Sequence, residues 1–300
     1  MTHKLECYTA QPTPGFTGQN QPLPEDTAIL LGTPVGSRID VTGEILGGDT
    51  GVRAQALANE FGAKVVAWQD LGPKVRFPGL LTARRKLTVD NFPEYASECA
   101  DTIADALQAQ EINRVVMRVH SGVGPLGTEL AKALHAPEHV TVSHLAISDP
   151  VGLRQVTFLQ GWRLTRTYGN GAAKQTPLEH RNDPGHPPNT FYSFLSDVAV
   201  RGTTVWLTDI TYRNLVHIGT DQQDTAVLLH LPGNTLNGSP TEIQALAADI
   251  QDKARRPDNT FVVAFEPAHY HSSEYDSLTR NAAFIRRAIA LAPLTEGPDS

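Results

Sequence analysis

Apolar positions in this chain fall into short runs bounded by breakers, alternating with stretches where apolar residues recur every three or four positions. The runs read as buried strands and the periodic stretches as helices covering them. Thr27-Ala-Ile-Leu-Leu31 is the first run, cut off by Gly32-Thr-Pro-Val-Gly36. A helix is expected at about 50–61, with Val52, Ala56, Leu57 and Phe61 on one face and Gly62 as its stop. Lys64-Val-Val-Ala-Trp68 is a second strand, ended by Asp70-Leu-Gly-Pro73. From Asp90 the pattern turns helical. Asn91 to Glu94 has the form of a capping box, Pro93 suits a first turn, and Phe92, Ala96, Cys99, Ile103 and Leu107 make a stripe. Arg114-Val-Val-Met-Arg-Val119 is a third strand. It enters the turn His120-Ser-Gly-Val-Gly-Pro-Leu-Gly127, and a helix follows with Leu126, Leu130 and Leu134 aligned. Val140 to Ile147 is a fourth strand, closed by Asp149-Pro150.

The rhythm breaks over residues 151–220, which carry Trp162, Tyr168, Phe191, Tyr192, Phe194 and Trp206 around the Gly/Pro/His-rich piece Asp183-Pro-Gly-His-Pro-Pro188. This segment reads as an inserted cap over 154–220, flanked by core segments 1–153 and 221–300. Its aromatics suit either a small apolar substrate or the insertion's own packing. The alternation resumes with Thr225-Ala-Val-Leu-Leu-His230, a helix near 240–255, the strand Thr260-Phe-Val-Val-Ala-Phe265, and a last helix at about 277–291 lined by Leu278, Ala282, Ile285 and Ile289. Residues 9–26, rich in Pro, Gly, Asn and Gln, read as a loop. Strand–helix alternation of this kind predicts an α/β fold, a mainly parallel sheet with helices on both faces.

Composition narrows the function. With 300 residues, 40% of them apolar, the chain can bury a full core. A net charge of −7 argues against a nucleic-acid partner, because neutralising phosphates takes a basic surface. No run approaches the ~18 apolar residues of a membrane helix, so no membrane partner is expected. Two cysteines, Cys7 and Cys99, make no disulfide framework, and a cytoplasmic location is the simplest expectation. Cys99 lies on an apolar stripe, and neither thiol is expected to react. The pattern does not address oligomeric state.

The candidate chemistry sits at residues 120–127. A strand that ends in a tight turn and then a helix lifts one side chain above the carboxyl edge of the sheet, with helix N–H groups behind it. Ser121 occupies that position. The N–H of Gly122 is placed to stabilise an oxyanion formed when Ser121 attacks a carbonyl.

On these residues the chain resembles the α/β-hydrolase superfamily. His120-Ser121-Gly122-Val123-Gly124 is similar to the nucleophile elbow, with Val119 and Val123 where the family carries small residues. Gly32-Thr-Pro-Val-Gly-Ser-Arg38 resembles the oxyanion loop, and Asp70-Leu-Gly-Pro73 the turn after the next strand. His135-Ala-Pro-Glu-His-Val140 and Asp149-Pro-Val-Gly-Leu153 resemble the segment after the elbow helix. Ala268-His269-Tyr270 falls where the family's histidine follows the last strand.

The resemblance implies a serine hydrolase of the esterase type, needing no cofactor and acting on a small-molecule ester or related acyl bond. Ser121 is the implied nucleophile and His269 the general base, with His271 as fallback. Asp149 is the implied orienting acid; Asn234 could orient the ring in its place while stabilising the cation less, and Asp209 is a weaker candidate. The N–H groups of Gly122 and Thr33 are the implied oxyanion donors. A metal pair at His269 and His271 is not expected, for want of further converging ligands.

Two other readings stay open. One is a hydrolase-like binding protein without activity. The other is a dinucleotide-binding protein using Gly122-x-Gly124-x-x-Gly127, with Asp149 ending the next strand to bind ribose hydroxyls.

Overall fold

The computed structural model describes residues 5–15, 22–32, 38–39, 45–46, 50–70, 88–135, 140–163, 205–235, 237–256, 258–270 and 278–294. Strands β1 (Leu5–Ala10), β2 (Thr27–Gly32), β5 (Val65–Asp70), β6 (Arg114–His120), β7 (Thr141–Ser148), β8 (Ala226–Asn234) and β9 (Phe261–Tyr270) form a seven-stranded sheet ordered β1-β5-β2-β6-β7-β8-β9. All neighbours in it are parallel except β1, which runs antiparallel to β5 at one edge. A separate two-stranded ribbon pairs β3 (Arg38–Ile39) with β4 (Ile45–Leu46).

The helices are α1 (Thr50–Phe61), α2 (Phe92–Gln108), α3 (Gly124–Leu134), α4 (Ile210–Asp221), α5 (Pro240–Ala254) and α6 (Leu278–Ile289). α2 to α5 cover one face of the sheet and share its core, where Val115, Met117, Val119, Leu145, Ile147, Val227 and Leu229 meet Leu107, Leu130, Leu215 and Ile250. α1 and α6 cover the other face, against Ile29, Leu31, Val65, Val116, Ala146 and Leu228. The expected architecture, a mainly parallel sheet with helices on both faces, is therefore the observed one. The central strands are buried on both faces because parallel connections place a helix on each side.

Several expectations shift in detail. β1 has no counterpart among the expected strands, and its last two residues, Thr9 and Ala10, fall in the 9–26 segment read as a loop; backbone pairing to β5 holds it. On α1 the buried stripe is Ala54, Leu57, Ala58 and Phe61, while Val52 is exposed; the helix faces the sheet through positions rotated from those expected. Asn91 does not cap α2 through its side chain; its Oδ1 instead accepts from the Thr88 N–H at 2.8 Å. The capping box sits at the start of α5, where Ser239 and Glu242 bond reciprocally.

Of the expected cap over 154–220, residues 164–204 lie outside the described residues. Its last part, α4, packs on α3 and α5 through Ile210, Leu215 and Ile218. Among the described residues no helix is long and apolar enough to cross a membrane.

Candidate active site

Strand β6 is extended through His120, and Ser121 then takes a left-handed backbone with φ 54°. A single turn, Ser121–Val123, leads into α3. A side chain in that conformation costs roughly 1–3 kcal/mol and persists only where the surroundings impose it. Here the Ser121 carbonyl is pinned by the Val151 N–H at 3.1 Å. The turn also requires α3 to cross close to the strand ends. A Cβ on Gly124 would stand 2.4 Å from the Pro150 side chain, and one on Gly127 would stand 2.7 Å from Val119. Val119 is thus accommodated: the space that a small residue on the strand would leave is supplied on the helix by Gly127. Two of the three glycines of the dinucleotide-like spacing, Gly124 and Gly127, are used in this helix packing.

Asp149 ends β7 beside the elbow, also with a left-handed backbone, and is fully buried. Its N–H donates to the His230 carbonyl at 2.8 Å. Its Oδ1 accepts from the Thr235 hydroxyl and from Asn237 Nδ2, the latter at 2.7 Å. Asn234 pairs through its backbone with Tyr270 on β9. Asp209 sits at the amino end of α4 and pairs with Arg213 at 2.8 Å. Thr33 and His271 lie outside the described residues, and Gly122 is the first residue after Ser121 in the single turn.

His269 lies near the end of β9. The carboxylate that meets its ring is Glu266, three positions earlier: Oε2 is 2.6 Å from His269 Nδ1. Arg287 on α6 holds the other oxygen, Oε1, at 3.2 Å. The path of β9 here follows from close backbone packing. The β8–β9 register breaks between Pro232 and Asn234, and Gly233 lies so near the Pro267 backbone that a Cβ would be 2.3 Å from its carbonyl oxygen. The His269 ring then stands edge-on to His230, with 5.5 Å between centroids.

Neither His230 nor Glu266 belongs to any motif along the chain. His230 is fully buried on β8 in a rung that runs His120, Ser148, His230 across three strands. His120 Nδ1 lies 3.0 Å from Ser148 Oγ. Glu266 Oε2 is 3.5 Å from His230 Nε2. Burial pushes the His230 pKa down to about 4 against the opposing pull of Glu266, so the ring is neutral at neutral pH. The signal that could have found these residues is the break in apolar alternation on one strand face, where Leu228 is followed by His230 and Val262 by Ala264 and Glu266.

The residues present are a hydroxyl on a strained turn and, at the end of β9, an imidazole with a carboxylate beside its Nδ1, groups of the kind that serve as nucleophile and general base. The two cysteines stand apart from it. Cys99 is buried in the α2 core, and burial pushes the Cys7 thiol up to about 11, far from the thiolate form.

No protein-family model matches the chain, and no curated protein sequence matches it. Solved structures do. A soluble variant of monoglyceride lipase from Saccharomyces cerevisiae, bound to a substrate analogue, has a TM-score of 0.53 at 14% identity, covering 98% of this chain and 93% of its own. MenH from S. aureus has a TM-score of 0.52 at 12% identity, covering 97% and 98%. A lipase-esterase related protein from Clostridium acetobutylicum has 0.53 at 10% identity, covering 95% and 99%. Strand order, the left-handed turn after β6 and these likenesses agree, and the chain has the α/β-hydrolase fold.

Proposed function

We propose that the chain hydrolyses an ester or related acyl bond of a small molecule, with Ser121 as nucleophile and His269 as general base. The observation that carries this reading is the left-handed backbone of Ser121 at the end of a central strand, packed in place by Gly124 and Gly127. Backbone strain of this kind clusters at functional sites, and at a strand-to-helix turn it lifts the side chain above the edge of the sheet. The lipase and lipase-esterase names among the structures of the same fold accord with this.

The chemistry follows from the pairing of His269 with Glu266. A neutral imidazole carries one proton, and a carboxylate at Nδ1 draws it to that nitrogen. Nε2 is then the basic site. It takes the Ser121 proton as Oγ bonds to the carbonyl carbon, and returns it to the leaving alkoxide as the acyl–oxygen bond breaks. Water hydrolyses the acyl-enzyme by the same steps in reverse. In this reading Glu266 orients His269, the role for which Asp149 and Asn234 were candidates. Asp149, bonded to Thr235 and Asn237, instead braces the segment behind the elbow. The N–H groups of Gly122 and Thr33 receive the oxyanion.

A fluorophosphonate probe is expected to label Ser121. Ser121→Ala is expected to abolish labelling and to lower turnover of short-chain esters by roughly 10³-fold or more. Absence of labelling and of turnover across several acyl lengths would favour a binding protein on the same fold. A rise in melting temperature with NAD or NADP would favour the dinucleotide reading instead.

A further inference from the structure

The His230 ring is fully buried, and among the described residues neither of its nitrogens has a hydrogen-bond partner. Buried polar atoms in native proteins are nearly always paired, so an orphaned imidazole calls for a partner. Its Nε2 lies 3.5 Å from Glu266 Oε2 without a hydrogen bond between them. The same oxygen lies 2.6 Å from His269 Nδ1. One donor atom from each of the three residues falls within 4.8 Å of the other two. Arg287 occupies Oε1, which leaves Oε2 facing both rings. Two imidazoles and one carboxylate form a donor set suited to zinc, whose bonds of about 2.0–2.2 Å put tetrahedral ligands roughly 3.3 Å apart. The observed spacing needs small adjustments to reach that. His230 is fixed inside the sheet, whereas Glu266 and His269 are partly exposed and open the cluster to ions from solvent.

We propose that His230, Glu266 and His269 bind a divalent transition-metal ion, zinc foremost, through His230 Nε2, Glu266 Oε2 and His269 Nδ1, with a fourth position left to water. The consequence for catalysis rests on the function proposed above. A metal bound at Nδ1 of His269 takes the lone pair of that nitrogen, and the neutral ring must then carry its proton on Nε2. That tautomer cannot accept the Ser121 proton. Bound zinc and ester hydrolysis therefore exclude one another, and zinc acts as a reversible inhibitor.

The test uses the full chain, stripped of metal with a chelator, then titrated with zinc by calorimetry and with cobalt(II) by visible absorption. One zinc per chain is expected, with cobalt bands of tetrahedral type. His230→Gln and Glu266→Gln are expected to weaken binding by at least roughly tenfold. Circular dichroism checks that each variant folds. If His230→Gln does not fold, Glu266→Gln decides alone, since its side chain is partly exposed. No binding at millimolar zinc, or equal affinity in wild type and Glu266→Gln, overturns the site. Ester turnover, where present, should fall with the midpoint of zinc binding. Zinc binding without any ester turnover removes the catalytic reading and leaves the metal site. Turnover unchanged at saturating zinc removes the inhibitory consequence.

Discussion

The two faces of strands β6 to β9 share one alternation and differ in chemistry. Toward α2–α5 the side chains are Val115, Met117, Val119, Leu145, Ile147, Val227, Leu229 and Leu231, all in one apolar core. Toward α6 the same strands carry Val116, Ala146 and Leu228, with His144 in the first half of β7, and turn mostly polar near their carboxyl ends. There Arg118, His120, Ser148 and His230 are buried, and Glu266 lies beyond them. Arg118 is held by Asn281 Oδ1 at 2.8 Å and by the Val119 carbonyl at 2.6 Å, and it stacks on Phe284. Burying such groups is costly unless each is bonded. The difference teaches that one sheet can keep one face wholly apolar for packing and gather its buried polar groups on the other.

Three measurements sharpen that contrast. The largest effect is expected on the apolar face. Leu229→Ala should cost about 2–5 kcal/mol, as buried leucine truncations do. Urea unfolding at neutral pH measures it, and a cost below about 1 kcal/mol would mean the face is not close-packed. Next comes the elbow crossing. Gly127→Ala drives a methyl group into Val119 and should cost about 1–3 kcal/mol. Combining it with Val119→Ala should recover part of this, giving a favourable coupling in the double-mutant cycle. Simple additivity would show that the two residues do not share the space.

The smallest effect concerns pH and separates the two ends of the polar face. His144 on β7 is buried near the amino end and bonds the Ala292 carbonyl at 2.9 Å and Ser143 Oγ at 3.0 Å. Burial, the first cause, lowers its pKa, while its backbone bonds pull the other way and limit the shift. Its folded pKa is therefore below the unfolded value of about 6.5. The unfolded chain then binds more protons in the range just below that value. The contribution of His144 is complete above it and is lost as pH falls through the folded pKa. Urea midpoints at pH 7.5 and pH 5 should diverge more in wild type than in His144→Gln. An equal divergence would assign the pH dependence to other groups.

Much of the fold could be read along the chain because its signals are local. Apolar runs such as Thr27–Leu31 and Val227–Leu229 specify strands, and the Ser121–Gly127 turn marks a strand–helix junction wherever the sheet is placed. β1 escaped because an edge strand is held by backbone pairing, which leaves little trace in side-chain pattern. The rotation of α1, with Val52 outward, escaped because a short helix with many alanines and a weak stripe presents two similar faces. At the site, Ser121 and His269 stood out through their settings in sequence. Glu266 and His230 did not, since a glutamate before a proline and a histidine inside an apolar strand carry no motif.

By itself the sequence determined which segments become strands and helices, and that residue 121 sits on a turn between them, because those preferences are set within a few neighbouring residues. Only the tertiary structure decided which strands lie side by side. That choice put His230 of β8 against Glu266 and His269 of β9, and turned a glutamate that no local pattern distinguishes into the partner of two imidazole rings.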